Sequence, residues 1–412
     1  MRHEMRGVPE RRRAAESPSL IPRAARLLGW FGIAPAPDDP RLVLLERATV
    51  DADPLADALV EGMERAPRGL GRRMLEQAIE HGIASVEAPL PALVALFDQL
   101  DQQPDWLDRE LAAEGAAAML RQGPEGLCAL SAVALMGGYL SSNATKPLAR
   151  TGALLEAAPR RLAETTQFVW SVASSAGMGR DSAGFKACVR VRVMHAFVRR
   201  QLRQDPAWQH ERWGMPINQR DMVATHLSFT VLFIAGSCAL GRIVSARERD
   251  AIVHLWRYVS TLLGSSDALL PRNFRQAAEL GGLLNISEPG PDADGQALAR
   301  ALMQAWRADP PRQGRFRLSR FGDFMQGYSR YALGKEAADR LGIPDTGWKY
   351  VPPVLALVRF GRELLGLIQP QRRARGVELG RRIIAQRLEA TLRGTPARYV
   401  APREASALAA SA

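Results

Sequence analysis

The sequence predicts an all-α protein, a multi-helix domain with a globin-related helical core and additional N- and C-terminal helices. Two observations predict the helical class. From Arg41 onward apolar residues recur at three- and four-residue spacing, in segment after segment separated by short breaks marked by Pro and Gly. No fixed-period repeat runs through these segments, so a packed set of unlike helices is expected rather than a solenoid. With 412 residues and 47% hydrophobic side chains, the chain can bury a large core.

Residues 1 to 40 are rich in Arg, Pro and Ala and end in Ala34-Pro35-Ala36-Pro37-Asp38-Asp39-Pro40, which cannot propagate a helix. A flexible leader is expected there, with one short amphipathic piece around Arg26 to Phe31 lying outside the core. Residues 41 to 395 are expected to form one helical domain, and 396 to 412 a tail. Within the domain, Pro54 to Arg65, Leu70 to His81 and Leu90 to Leu100 show the helical period, with breaks at Pro67, Gly82 and Pro89. The acidic residues from Asp105 open a helix through Leu120 that stops near Gly123-Pro124. Gly126 to Leu140 is apolar and rich in small residues, as a closely packed helix requires. Lys146 to Glu156 and Pro159 to Ser175 follow, the second with Pro159 in its first turn and closed by Gly177 and Gly179.

Phe185 to Leu202 contains no Gly or Pro. Its alternating Val189-Arg190-Val191-Arg192-Val193 reads locally as a strand, but the length of the segment decides for a helix. Asn218 is an N-cap candidate, with Asp221 three residues on, for an apolar core helix to Ala235. Ser245 with Glu248 opens Ala246 to Leu263, and Gly264 closes it. Beyond Pro271 come Gln296 to Arg307, Phe316 to Leu333, Val354 to Ile368 and Gly376 to Leu392.

The net charge is +12, and nearly all of the positive charge is arginine, the lysines being Lys146, Lys186, Lys335 and Lys349. The arginines are spread along the chain, as a high-GC genome produces them, so no localised nucleic-acid footprint is expected. A nucleic-acid or anionic-membrane binder is one competing reading. Its support is Arg315-Phe316-Arg317, Arg320-Phe321 and the arginines Arg372, Arg373, Arg375, Arg381 and Arg382. Cys128, Cys188 and Cys238 are widely separated and include no CxxC, which excludes a zinc ribbon and a covalently attached haem. They suggest a reducing, cytoplasmic setting. No stretch reaches ~18 uninterrupted apolar residues, so an integral membrane protein is not expected, although peripheral membrane contact is open.

The chemistry-bearing candidate is His195, in Val191-Arg192-Val193-Met194-His195-Ala196-Phe197-Val198-Arg199. A neutral imidazole on a rigid helix facing an apolar slot is the usual ligand of a non-covalent haem. Arg192 and Arg199, about a turn before and after, could fork onto haem propionates. The local pattern equally allows a packed structural histidine flanked by solvated arginines. Arg161 and Thr165, spaced i, i+4, share a helix face. His226 and His254 are expected to be satisfied core histidines, Trp256 a core residue, and Cys188 a buried inert thiol.

Arg161-x-x-x-Thr165, the His195 segment, Trp213-Gly214-Met215-Pro216-Ile217-Asn218-Gln219 and Leu255-Trp256-Arg257-Tyr258 through Leu270-Pro271 follow in order. Together they resemble the MpaB-type oxygenase family, which includes the latex-clearing rubber oxygenases. The resemblance is good over roughly residues 120 to 275, and Leu333-Gly334-Lys335 through Pro344 is also similar. It implies the globin-related core and haem b held by His195 as metal ligand, with Arg161 and Thr165 in the haem pocket. It also implies dioxygen as co-substrate and oxidative cleavage of a carbon–carbon double bond in an apolar, isoprenoid chain. The catalytic carboxylate of the latex-clearing members has no counterpart in Ser141 to Lys146, which offers Thr145. Glu164 stands where they carry a lysine, and it is the carboxylate candidate here, with Arg161 and Thr165 as its catalytic neighbours. A non-catalytic haem carrier or sensor on the same scaffold is the alternative, and the sequence leaves the oligomeric state open.

Overall fold

The structure, a computed structural model, describes residues 19–30, 32–151, 153–308, 312–313, 316–317, 320–367 and 370–392. Among these residues the architecture is all-α, apart from a two-stranded ribbon pairing Arg312–Gln313 antiparallel with Phe316–Arg317. The first helices are α1 (Pro22–Trp30), α2 (Arg41–Arg47), α3 (Pro54–Arg65), α4 (Leu70–His81), α5 (Pro91–Asp101) and α6 (Arg109–Arg121). Then come α7 (Gly123–Gly138), α8 (Ser142–Thr151), α9 (Ala153–Ser174), α10 (Ala183–Arg203), α11 (His210–Trp213), α12 (Gln219–Ala239) and α13 (Ala246–Leu262). The last are α14 (Phe274–Ser287), α15 (Ala293–Ala308), α16 (Phe321–Leu333), α17 (Lys335–Arg340), α18 (Val351–Leu367) and α19 (Pro370–Leu392).

Local chemistry sets the boundaries the period predicts. The Asp53 carboxylate accepts the Ala56 N–H at 3.3 Å and starts α3, and Pro54 occupies the first turn, where a missing N–H costs nothing. Asn218 caps α12 through the Asp221 N–H at 3.0 Å. Ser245 and Glu248 form a reciprocal capping box for α13. The alternating valines of Val189 to Val193 lie within α10, whose continuous packing along its length overrides their local strand pattern.

Three expectations are corrected. Within the expected leader, residues 19–30 and 32–40 are described and join the fold: Leu20 and Ile21 are buried, and the Ile21 N–H donates to Asn285 Oδ1 at 2.7 Å. Residues 1–18 lie outside the described set. The helix expected from Phe316 starts at Phe321, because Phe316 and Arg317 pair in the ribbon. The helix expected to open at Pro159 instead begins at Ala153 and runs through it.

Helices α6 and α13 pack backbone to backbone. Gly115 allows this, since a Cβ there would lie 2.2 Å from the Ala251 carbonyl oxygen. The largest apolar cluster forms around this pair and α10, with Phe97, Phe185 and Trp256 in it. A second gathers α7, α15 and α16 around Leu302, Trp306 and Tyr328. A third joins α12 to α14 through Val223, Leu227 and Leu283. Helix α12 is long and apolar enough to cross a bilayer, yet half of that window is buried, as befits a core helix joining these clusters.

Candidate functional site

Where the three clusters meet, the chain encloses a cavity of about 1210 Å³. That exceeds the roughly 300–1,000 Å³ of an ordinary small-molecule pocket. Its wall is mostly apolar, with Leu135, Phe168, Val169, Val191, Met194, Val198, Leu232 and Trp256 among the lining residues.

Two helices widen to make this space. Leu130–Leu135 within α7 and Ser228–Leu232 within α12 wind as π-helix, and the two turns pack against one another. Such turns insert extra backbone into a helix and favour functional sites. The Thr230 hydroxyl donates to the His226 carbonyl at 2.9 Å, occupying an acceptor at the start of the widened turn.

Helix α10 presents Val191, Met194, His195 and Val198 to the cavity, at the spacing of one helical face. Glu164 and Thr165 of α9 line the same cavity, as does Thr145 of α8, whose hydroxyl donates to the Ser142 carbonyl at 2.8 Å. Glu164 is buried and receives Arg160 Nε at 3.3 Å. The side chain of Arg161 lies outside the described set. The structure therefore places His195, Glu164 and Thr165, from the consecutive helices α9 and α10, on the wall of one cavity.

Arg192 and Arg199 are corrected. They occupy the adjoining face of α10 and do not line the cavity. Arg192 forks onto Asp53, with Nε to Oδ2 at 2.6 Å and Nη2 to Oδ1 at 2.8 Å, and Arg199 Nη1 reaches Asp57 Oδ1 at 2.8 Å. Both guanidiniums bind α10 to the start of α3, where carboxylates stand within reach. Burial lowers the pKa of Arg199 and raises that of Asp57, opposing their mutual attraction. At Gly264, with φ +86°, a Cβ would strike Asp53 Oδ2 at 2.2 Å, so the turn after α13 closes over the Asp53 pair.

The cations that do reach the lining are Arg23, Arg249 and Arg275. Arg249 Nε is buried without a hydrogen-bond acceptor, while its guanidinium carbon lies 5.1 Å from the centre of the Phe274 ring.

Three lining residues were not picked out as site residues by the sequence reasoning. His226 is fully buried, and its Nδ1 lies 3.2 Å from the Trp256 carbonyl and 3.0 Å from Ser260 Oγ. The carbonyl can only accept, so Nδ1 carries the proton and Nε2 keeps its lone pair, with no hydrogen-bond partner. Burial pushes the His226 pKa down to about 4, so the ring is neutral. His254 differs, its Nε2 accepting the Asp108 N–H at 3.0 Å as a satisfied core histidine should. Trp256, expected as core alone, is core and wall together: its ring stacks on Phe229 at 4.2 Å and 3°, and its Nε1–H donates to Met119 Sδ at 3.1 Å.

Glu288 is the third. It ends α14 and is buried on the lining, accepting from the Ser141 hydroxyl at 2.7 Å and from Arg220 Nε at 2.5 Å. A carboxylate thus arrives at the Ser141 segment from 147 residues away, a placement that no local signal announces. Ile217 of the motif before α12 also lines the cavity and is held at φ +51°, a disfavoured backbone for a β-branched residue. None of the three cysteines is in a disulfide, and burial raises the pKa of the Cys188 thiol, as an inert core cysteine requires.

The donor chemistry fits haem b. Among the described residues no group of three or more His, Cys, Asp or Glu could hold a bare metal ion. Two imidazoles, those of His195 and His226, lie on the apolar cavity wall, where one of them suits an iron whose other ligands come from a macrocycle. The buried Arg249 Nε adds to that wall a donor without an acceptor, which a carboxylate of such a group could supply.

Fold and lining define an all-α protein built round a large apolar chamber, faced by His195 of α10 and His226 of α12. Residues 124–365, more than half of the chain, match the family described as ER-bound oxygenase mpaB/B'/Rubber oxygenase, catalytic domain, and the chain belongs to that family. Rubber oxygenase from Streptomyces sp. (strain K30) is 24% identical over 191 residues, which are 44% of this chain and 44% of that protein. The chain therefore aligns with less than half the length of this curated relative. Latex clearing protein LCP in the closed state has a similar fold, with a TM-score of 0.56 at 20% identity over 82% of this chain and 91% of the other.

Proposed function

We propose that the chain is a haem b-dependent oxygenase that uses dioxygen to cleave carbon–carbon double bonds in an apolar, isoprenoid substrate. The observation that carries this is His195 on the wall of a chamber that it shares with Glu164 and Thr165. His195 would hold the iron, and Arg249 a carboxylate of the cofactor. When bound, haem b supplies a redox-active iron able to activate dioxygen. The chain's own residues then position the alkene and exclude water, through the apolar faces of α7, α10 and α12. Glu164, buried on the wall and paired with Arg160, is the carboxylate that would move a proton at its Oε atoms. One dioxygen per double bond leaves one oxygen on each new carbonyl end, so any proton Glu164 accepts from the substrate is returned. Thr165 can orient that carboxylate or the substrate by hydrogen bonding.

Titrating the purified chain with haem b tests the assignment. A Soret band should develop in the wild type and be lost in His195→Ala with unchanged far-UV circular dichroism. A folded wild-type chain that takes up no haem would overturn the assignment. A haem carrier without catalysis is the second reading, favoured by the lack of Glu or Asp in Ser141 to Lys146. Oxygen uptake with an isoprenoid alkene separates the two.

A further inference from the structure

Helix α18 is inside out. Arg359 and Glu363 turn toward the protein: Glu363 receives Arg121 Nη1 at 3.2 Å and Arg242 Nη1 at 2.8 Å, and Arg359 pairs with Glu125. Its outer face carries Val354, Leu357, Val358 and Leu364, which are 63%, 78%, 60% and 44% exposed. These positions form one stripe along the helix, flanked by the exposed Phe360 and, one turn before Val354, by the exposed Tyr350. A surface helix of a soluble domain has the opposite polarity, and a contiguous exposed apolar strip marks an interaction surface.

The charge around the stripe selects its partner. Between Lys349 and Leu392 there are nine basic and three acidic residues, so this short segment accounts for half of the chain's net charge of +12. Arg381 and Arg382 of α19 are exposed, close in sequence to the exposed Leu379. A second copy docked face to face would bring two such basic segments together.

We propose that α18 docks on an anionic lipid bilayer, with its apolar stripe at the headgroup boundary and the arginines of α19 on lipid phosphates. This surface is independent of the reaction in the cavity. The arrangement is that of an interfacial helix, with apolar burial and electrostatic attraction acting together.

Co-sedimentation of the full chain with vesicles of phosphatidylcholine, alone or mixed with phosphatidylglycerol, tests this at low salt. The wild type should pellet with the mixed vesicles and remain in solution with the neutral ones. The double variant Leu357→Glu/Val358→Glu, whose sites are solvent-exposed, should keep its circular dichroism and elution volume and lose the binding. Arg381→Gln/Arg382→Gln should lower partition by about 25-fold, roughly fivefold for each arginine at the surface. The proposal is overturned if the wild type ignores both vesicles, or if Leu357→Glu/Val358→Glu binds as the wild type does. A concentration-dependent dimer abolished by that double variant, without vesicle binding, assigns the stripe to a second copy and likewise overturns it.

Discussion

Replacing Asp53 by Asn probes the buried junction between α3 and α10. The wild-type carboxylate accepts two hydrogen bonds from Arg192, at 2.6 and 2.8 Å, and the two side chains are only 5% and 2% exposed. Asparagine keeps the shape and an oxygen to cap α3, so the cap contributes little to the loss. What remains is a desolvated guanidinium without its counter-charge, which costs about 3–5 kcal/mol when one partner of a buried pair is removed. Urea unfolding followed by tryptophan fluorescence should show the midpoint falling by that free energy at an unchanged m value. The double variant Asp53→Leu/Arg192→Met should recover most of it, because two apolar side chains leave no charge to desolvate. Neither Asp53→Asn nor Arg192→Met should weaken haem uptake in the folded protein, since this pair faces away from the cavity. A loss below about 1 kcal/mol in Asp53→Asn would refute the energetic account. A folded Arg192→Met protein with impaired haem uptake would restore this arginine to the cofactor site.

The His226 ring gives a pH dependence of definite sign. Its folded pKa is depressed to about 4 from an unfolded value of 6.5, so its contribution to stability is complete above pH 6.5 and falls away as pH drops toward 4. The loss should reach about 3 kcal/mol, and His226→Gln should flatten that window in unfolding curves measured at successive pH values. Gly115→Val should destabilise by about 1–3 kcal/mol or more, through forced separation of α6 from α13, as read by denaturant unfolding. An unchanged midpoint would mean that the two backbones are not in close contact.

What was legible in the sequence is what neighbouring residues decide. Helices α3 and α4 begin and end where the period and the breaks put them, because Asp53 with Pro54 at one boundary and Gly82 at another act within a turn of their own position. The fate of Arg192 and Arg199 was not legible, since the carboxylates they meet lie 139 and 142 residues away. The same holds for Glu288 at Ser141 and for the segment before α1, where the surrounding arginines and prolines concealed the buried Leu20 and Ile21. Phe316 misled because aromatic and aliphatic spacing continues through it into α16, while its backbone pairs across the ribbon. Spacing along one helix tells which side chains share a face, but which neighbour that face meets is decided by the rest of the chain.

The paired π turns have a consequence for how such a chamber can change. A π turn holds more residues than an α turn of the same helix, so deleting one residue from Ser228–Leu232 would restore regular winding. It would also rotate Gln219–Leu227 by about 100° relative to Phe233–Ala239. His226 would swing off the wall and another side chain would take its place. The chamber's outline is thus set in whole-residue steps by the winding of α7 and α12, and single insertions or deletions there can reshape it more than exchanges of the side chains that line it.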